Sequence, residues 1–229
     1  MGRFVAAVLG LALVVLALPL LAGASDRLGP LTTVLPFASG CEVALVDGTS
    51  ASLDVEEAAA AATAAARGEA VEGLTAAPAL SSAEAIECRI SSSAGPGEQA
   101  LTDTGLTPRA QTVFDEVAAV FGPIPYGGFA PGGISTGHGA RSAHYDGRAV
   151  DLFFRPVGDE TQRARGWAVA NWLVAHADRL EVAVVIFDDK IWSARRSAQG
   201  WRPYSNPTGA SDPISRHLDH VHVDVVRGA

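Results

Sequence analysis

Residues 220–226 alternate strictly: His220, His222 and Asp224 share one parity, and Val221, Val223 and Val225 share the other. A period of two is that of a β-strand, so the valines face a core while the two histidines and the aspartate share the opposite face. A chain with such a strand must build a sheet buried on one side. It must also find a use for two imidazoles held one residue apart on the same face. Core packing does not supply one, because neighbouring imidazoles repel when protonated and need polar partners when buried. Metal ligation satisfies both demands.

A second concentration of ionisable groups lies in Ser142-Ala143-His144-Tyr145-Asp146-Gly147-Arg148-Ala149-Val150-Asp151, where an apolar run of strand type begins at Ala149. A catalytic zinc takes three protein ligands of imidazole and carboxylate type and keeps its fourth position for water. His144, Asp151 and His222 are the three candidates, with Gly147 allowing the sharp turn that returns His144 toward Asp151. Either motif alone is also compatible with solvated surface residues; their joint occurrence beside two apolar strands favours a Zn2+ site. His138 reads as a loop histidine or cleft lining, His176 as a residue on a helix face, and His217 as an outer partner of the site. No role is assigned to them. Trp167, Trp172, Trp192 and Trp201 read as core, and Trp201 and Tyr204 are also the best candidates for lining a cleft.

The pattern divides the chain into residues 1–24, an export segment; 25–90, a small acidic and alanine-rich region; 91–106, a linker; and 107–229, the histidine-bearing domain. In the first region Glu42 to Val46 reads as a strand, and Asp47-Gly48 reads as a turn. Asp54 with Glu57 then forms a capping box for an alanine-rich helix. In the second, Thr107-Pro108 opens a helix that Gly122-Pro123 ends, and another helix runs from about Asp159 to Arg179. Asp188-Asp189-Lys190 turns one strand into the next as a hairpin. The order predicts an α+β fold: a small, mostly antiparallel sheet with flanking helices carrying a zinc site, preceded by a small helical, disulfide-closed region.

Arg3 precedes an apolar run over residues 4–21 that ends in Ala22-Gly23-Ala24, the pattern of a signal peptide. The run also approaches the roughly 20 apolar residues that span a bilayer, so an uncleaved membrane anchor is the alternative. Either way the protein is expected outside the cytoplasm, secreted or anchored in the cell envelope. Cys41 and Cys88 are then most simply read as one disulfide. The net charge of −8 arises in residues 25–106, which hold 12 acidic against 3 basic residues, while residues 107–229 hold 13 of each with no basic stripe. Nucleic-acid binding needs such a footprint and is not expected.

With these residues in place, the domain resembles the zinc peptidases that group lysostaphin-type endopeptidases, D-alanyl-D-alanine carboxypeptidases and the hedgehog signalling domain. Their pattern Ser-x-His-x-x-Gly-x-Ala-x-Asp is matched by Ser142, His144, Gly147, Ala149 and Asp151, and their His-x-His by His220-Val221-His222. The same half is similar to a group of exported actinobacterial proteins of unassigned activity, and the preference for arginine over lysine fits a GC-rich genome. The resemblance implies His144, Asp151 and His222 as zinc ligands. It also implies a base at His220 or, in the carboxypeptidase branch, at the position of Asp219, where that branch has glutamate. Arg141 stands for the family arginine that stabilises an oxyanion or binds a substrate carboxylate, although the family places it further upstream.

The function expected from these readings is an exported zinc peptidase or amidase acting on cell-wall peptides through a metal-activated water. The rival readings are a zinc-bound but inactive binding module of the envelope and a plain structural envelope protein. An intact His220 favours the enzyme, and the glutamate-to-aspartate change at Asp219 favours the inactive module.

Overall fold

The computed structural model describes residues 39–90 and 96–228. The expected export segment and part of the expected linker lie outside the described residues. Among the described residues no helix is long and apolar enough to cross a membrane.

The first region opens with strands β1 (Gly40–Ala44) and β2 (Ser50–Leu53), joined through the Asp47-Gly48 turn. Helix α1 (Val55–Ala66) follows, and its capping box forms as the sequence requires: the Asp54 side chain accepts from the Glu57 N–H, and Glu57 accepts from the Asp54 N–H. Strand β3 (Ile86–Arg89) returns beside β1, giving an antiparallel sheet of order β2-β1-β3. This sheet corrects the expectation of a mainly helical region with one strand by adding two more strands beside it. Neither Ser50–Leu53 nor Ile86–Arg89 has a long apolar run, and each is stabilised as a strand by pairing with β1. Cys41 and Cys88 stand opposite each other in the β1–β3 register and are disulfide-bonded. Closing a loop of 47 residues stabilises the fold by about 4 kcal/mol in the chain-entropy model.

Helix α2 (Pro108–Phe121) has Thr107 as N-cap, proline in its first turn and Gly122 as C-cap. The chain then forms β4 (Tyr126–Gly127), a 3-10 turn (Ala143–Asp146), β5 (Ala149–Phe153), α3 (Glu160–Ala175), β6 (Val182–Phe187) and β7 (Lys190–Ser193). A second 3-10 turn (Ala194–Gln199), β8 (Arg202–Pro203) and β9 (His220–Val225) follow. Asp188 and Asp189 both take positive φ, which is the mirror-image turn that a two-residue hairpin prefers.

The six strands pair antiparallel in the order β4-β5-β9-β6-β7-β8. One face of β5 and β9 presents Val150, Leu152, Val221, Val223 and Val225 to the core under α2 and α3, as the alternation requires. Helix α3 is buried on nearly every side from Gly166 to Ala175, which is how a helix without a polar face is stabilised. It packs against β6 on one side and α1 and β3 on the other, so one hydrophobic core runs through residues of both expected regions. The described residues, 39–90 and 96–228, fall within one compact unit. The four tryptophans are all buried in this core.

Candidate metal centre

The site lies on the face of β5 and β9 that is turned away from the helices. In the β5–β9 register Asp151 stands directly opposite His222, and Phe153 stands opposite His220. His144 reaches the same place from the 3-10 turn before β5. The Ser142 side chain accepts the His144 N–H at 3.3 Å and starts that turn, and Gly147 stops it in the left-handed conformation. A side chain at Gly147 would collide with the Gly105 carbonyl as well as needing the positive φ, so both requirements select glycine there.

Three donor atoms converge. His222 Nδ1 lies 3.1 Å from His144 Nε2 and 3.1 Å from Asp151 Oδ1, and His144 Nε2 lies 3.3 Å from Asp151 Oδ1. A proton can bridge only one of these pairs at a time, whereas a metal ion serves all three. Ligands bound at about 2.0–2.1 Å around a tetrahedral zinc are separated by about 3.3 Å, so these residues fit such an ion without rearrangement.

The outer partners set the tautomers. His144 Nδ1 sits 2.8 Å from the Gly128 carbonyl and donates to it, leaving the Nε2 lone pair directed into the cluster. Gly128 must be glycine, because a side chain there would strike the His144 ring. His222 turns Nδ1 to the cluster and Nε2 toward Asp224, whose Oδ2 is 4.0 Å away. His220 donates from Nδ1 to Asp219 Oδ1 at 2.7 Å, and its Nε2 lies 3.8 Å from Asp151 Oδ1.

Charge is arranged around these atoms. Burial alone would raise the Asp151 carboxyl, but the hydrogen bonds and charge of His144 and His222 outweigh it and hold it far below the ordinary carboxylate range. Asp219 is lowered in the same way, burial being outweighed by His220 and Arg155. Burial, with repulsion from His220 and His222, pushes His217 down to about 3, so it stays neutral.

An open cleft of about 1020 Å³ covers this face. The structure brings His144, Asp151 and His222 into direct contact and places His220 beside them. Asp219 lies behind His220, with Oδ1 held by that histidine and Oδ2 by Arg155 Nε and Nη2 at 2.8 and 2.7 Å. Arg141 is exposed on the cleft wall and holds no ion pair among the described residues. Of the two expected cleft aromatics, Tyr204 lines it and Trp201 does not: its ring packs on Trp167 in the core.

Sequence reasoning missed three contributors. Arg155 stacks over Phe153 at 4.0 Å and anchors Asp219; it sits 64 residues away in the chain, and no local pattern links the two. The Gly128 carbonyl carries no side-chain signal at all. His138 was left without a role, yet its ring stacks on His144 at 3.9 Å, and its ligand atom lies within 4.8 Å of those of His144 and Asp151.

Fold and site together define an α+β protein with a candidate metal centre on the open face of an antiparallel sheet. Residues 102–214 match the family model described as VldE, C-terminal domain, so this part of the chain is similar to that family. The matched span holds His138, His144 and Asp151 and stops short of Asp219, His220 and His222. No curated protein and no solved structure matches the chain.

Proposed function

We propose that this protein is an exported zinc-dependent peptidase or amidase acting on cell-wall peptides. The observation that carries the reading is the convergence of His144 Nε2, Asp151 Oδ1 and His222 Nδ1 within 3.3 Å of one another on the floor of an open cleft. Two imidazoles and one carboxylate are the donor set of a hydrolytic zinc site, and they come from the two segments that resemble the zinc-peptidase pattern. A bound zinc supplies a water made acidic enough to attack at neutral pH and a Lewis acid for the scissile carbonyl.

The chain's own residues supply the rest. His220, with its Nδ1 proton committed to Asp219, keeps an Nε2 lone pair on the cleft side to take a proton. Asp219 then stabilises the imidazolium, as an orienting carboxylate does behind a catalytic histidine. The free guanidinium of Arg141 on the cleft wall is available to a substrate carboxylate or a developing oxyanion. The Cys41–Cys88 disulfide supports an oxidising compartment, in keeping with export to the envelope.

One observation favours a second reading, the zinc-bound module without activity. Asp219 occupies the place of the carboxypeptidase base, and both its oxygens are already engaged. The experiment that separates the two measures zinc content and release of peptides or amines from actinobacterial cell wall on the same preparation. Stoichiometric zinc with release supports the enzyme. Stoichiometric zinc without release on any cell-wall peptide or amide supports the module, and absence of zinc removes both.

A further inference from the structure

The hydrolytic reading leaves His138 and His217 unused, and of the two it is His138 whose ligand atom lies near those of His144 and Asp151. It sits between Gly137 and Gly139 on the loop that walls the cleft, and its imidazole lies nearly parallel to that of His144, at 3.9 Å and 24°. Its ligand atom and those of His144 and Asp151 all fall within 4.8 Å of one another.

The placement is held by a specific clamp. The Tyr145 hydroxyl accepts the His138 N–H at 3.0 Å and donates to the His138 carbonyl at 2.5 Å. Tyr145 adjoins His144 in the 3-10 turn, so the turn that delivers one ligand also holds the backbone of His138 over it. The His138 ring itself has no hydrogen-bond partner among the described residues. The clamp therefore holds an uncommitted imidazole against His144, and because stacked rings direct their nitrogens in parallel planes, His138 turns a nitrogen to the cluster by rotating about its own side-chain bonds.

We propose that His138 is a fourth protein ligand, so that the resting zinc site is closed by three histidines and Asp151 and opens for chemistry when the His138 loop withdraws. The proposal rests on the zinc reading above and adds regulation to it. Tetrahedral zinc with four protein ligands has no position left for water, and hydrolytic sites keep one open. His138 is the ligand that can be released, because His144 and Asp151 are buried and His222 lies within a paired strand, while His138 rides on a loop flanked by glycine on both sides. Loop withdrawal of this kind completes or exposes many catalytic sites.

The test is zinc X-ray absorption on the full chain purified with its metal, counting imidazoles per zinc in wild type and in His138→Ala. Three imidazoles falling to two, with zinc affinity against a competing chelator weakened at least tenfold, is the expected result. Tyr145→Phe removes both backbone hydrogen bonds without touching a ligand and is expected to weaken zinc in the same direction by a smaller factor. Two imidazoles in wild type, unchanged in His138→Ala, overturns the fourth ligand while leaving the hydrolytic site intact. A chain that binds no stoichiometric zinc overturns the zinc reading itself, and this inference with it.

Discussion

Asp219 Oδ1 lies 2.7 Å from His220 Nδ1, and Asp219 Oδ2 is held by Arg155, so His220 has one tautomer and one orientation. Under the proposed hydrolytic function, this pair assigns proton acceptance to His220 and its orientation to Asp219. His220→Ala is expected to keep zinc while turnover of cell-wall peptide falls by roughly 10²–10⁴. Asp219→Asn is expected to keep zinc and lower turnover by about 10–100-fold through loss of orientation. A larger loss at Asp219 than at His220 transfers the base role to the carboxylate.

His144, Asp151 and His222 are expected to bind one zinc per chain. Zinc in hundredfold excess over its dissociation constant should then stabilise the fold by about 2.7 kcal/mol. Calorimetry after chelation and re-addition checks this. His222→Ala should sharply reduce the shift in melting temperature, because it removes one of the protein ligands of the zinc site.

His176 gives the protein an acid-sensitive core. Its Nδ1 donates to the Trp172 carbonyl at 2.8 Å, and its Nε2 lies 3.0 Å from the Thr63 hydroxyl, which also receives the Trp172 indole N–H at 3.1 Å. Burial pushes its pKa down to about 4 against an ordinary value near 6.5. Between these values the unfolded chain binds a proton that the folded chain refuses. The stability contributed by neutral His176 is therefore complete above about pH 6.5 and is lost as pH falls toward 4, by on the order of 3 kcal/mol. His176→Gln preserves a donor and an acceptor but cannot titrate. Denaturant melts of wild type and variant across that window should diverge by this amount.

Gly166 lies within α3 against the ring of Phe187, which is itself packed between Trp167 and Phe154. Alanine is the better helix former by about 1 kcal/mol, yet a methyl here meets a ring that has no room to retreat. Gly166→Ala is expected to destabilise by about 1–3 kcal/mol, read as a lower denaturation midpoint with an unchanged m-value.

Much of the local structure could be read directly from the residues. The capping box at Asp54, the Thr107-Pro108 helix start, the hairpin at Asp188-Asp189-Lys190 and the parity of the last strand are all encoded within a few positions of one another. Each follows from hydrogen-bond reach or from the period of the backbone. The cysteine pair was legible for a different reason: two cysteines in a chain expected to be exported have one partner each.

What the tertiary structure decided is the set of contacts between distant segments. The sequence placed His144, Asp151 and His222 in two motifs, but only the β5–β9 register sets His222 opposite Asp151 at 3.1 Å. Arg155 behind Asp219, the Gly128 carbonyl behind His144 and His138 above it come from loops and strand ends whose approach no periodicity records. The same holds for α3, which the sequence marked as a helix without recording that α1 and β3 would cover its second side. Local propensity and alternation act over a turn or a strand and are written in neighbouring residues. Register, loop placement and shared cores depend on which distant surfaces bury together, and that is settled only when the whole chain packs.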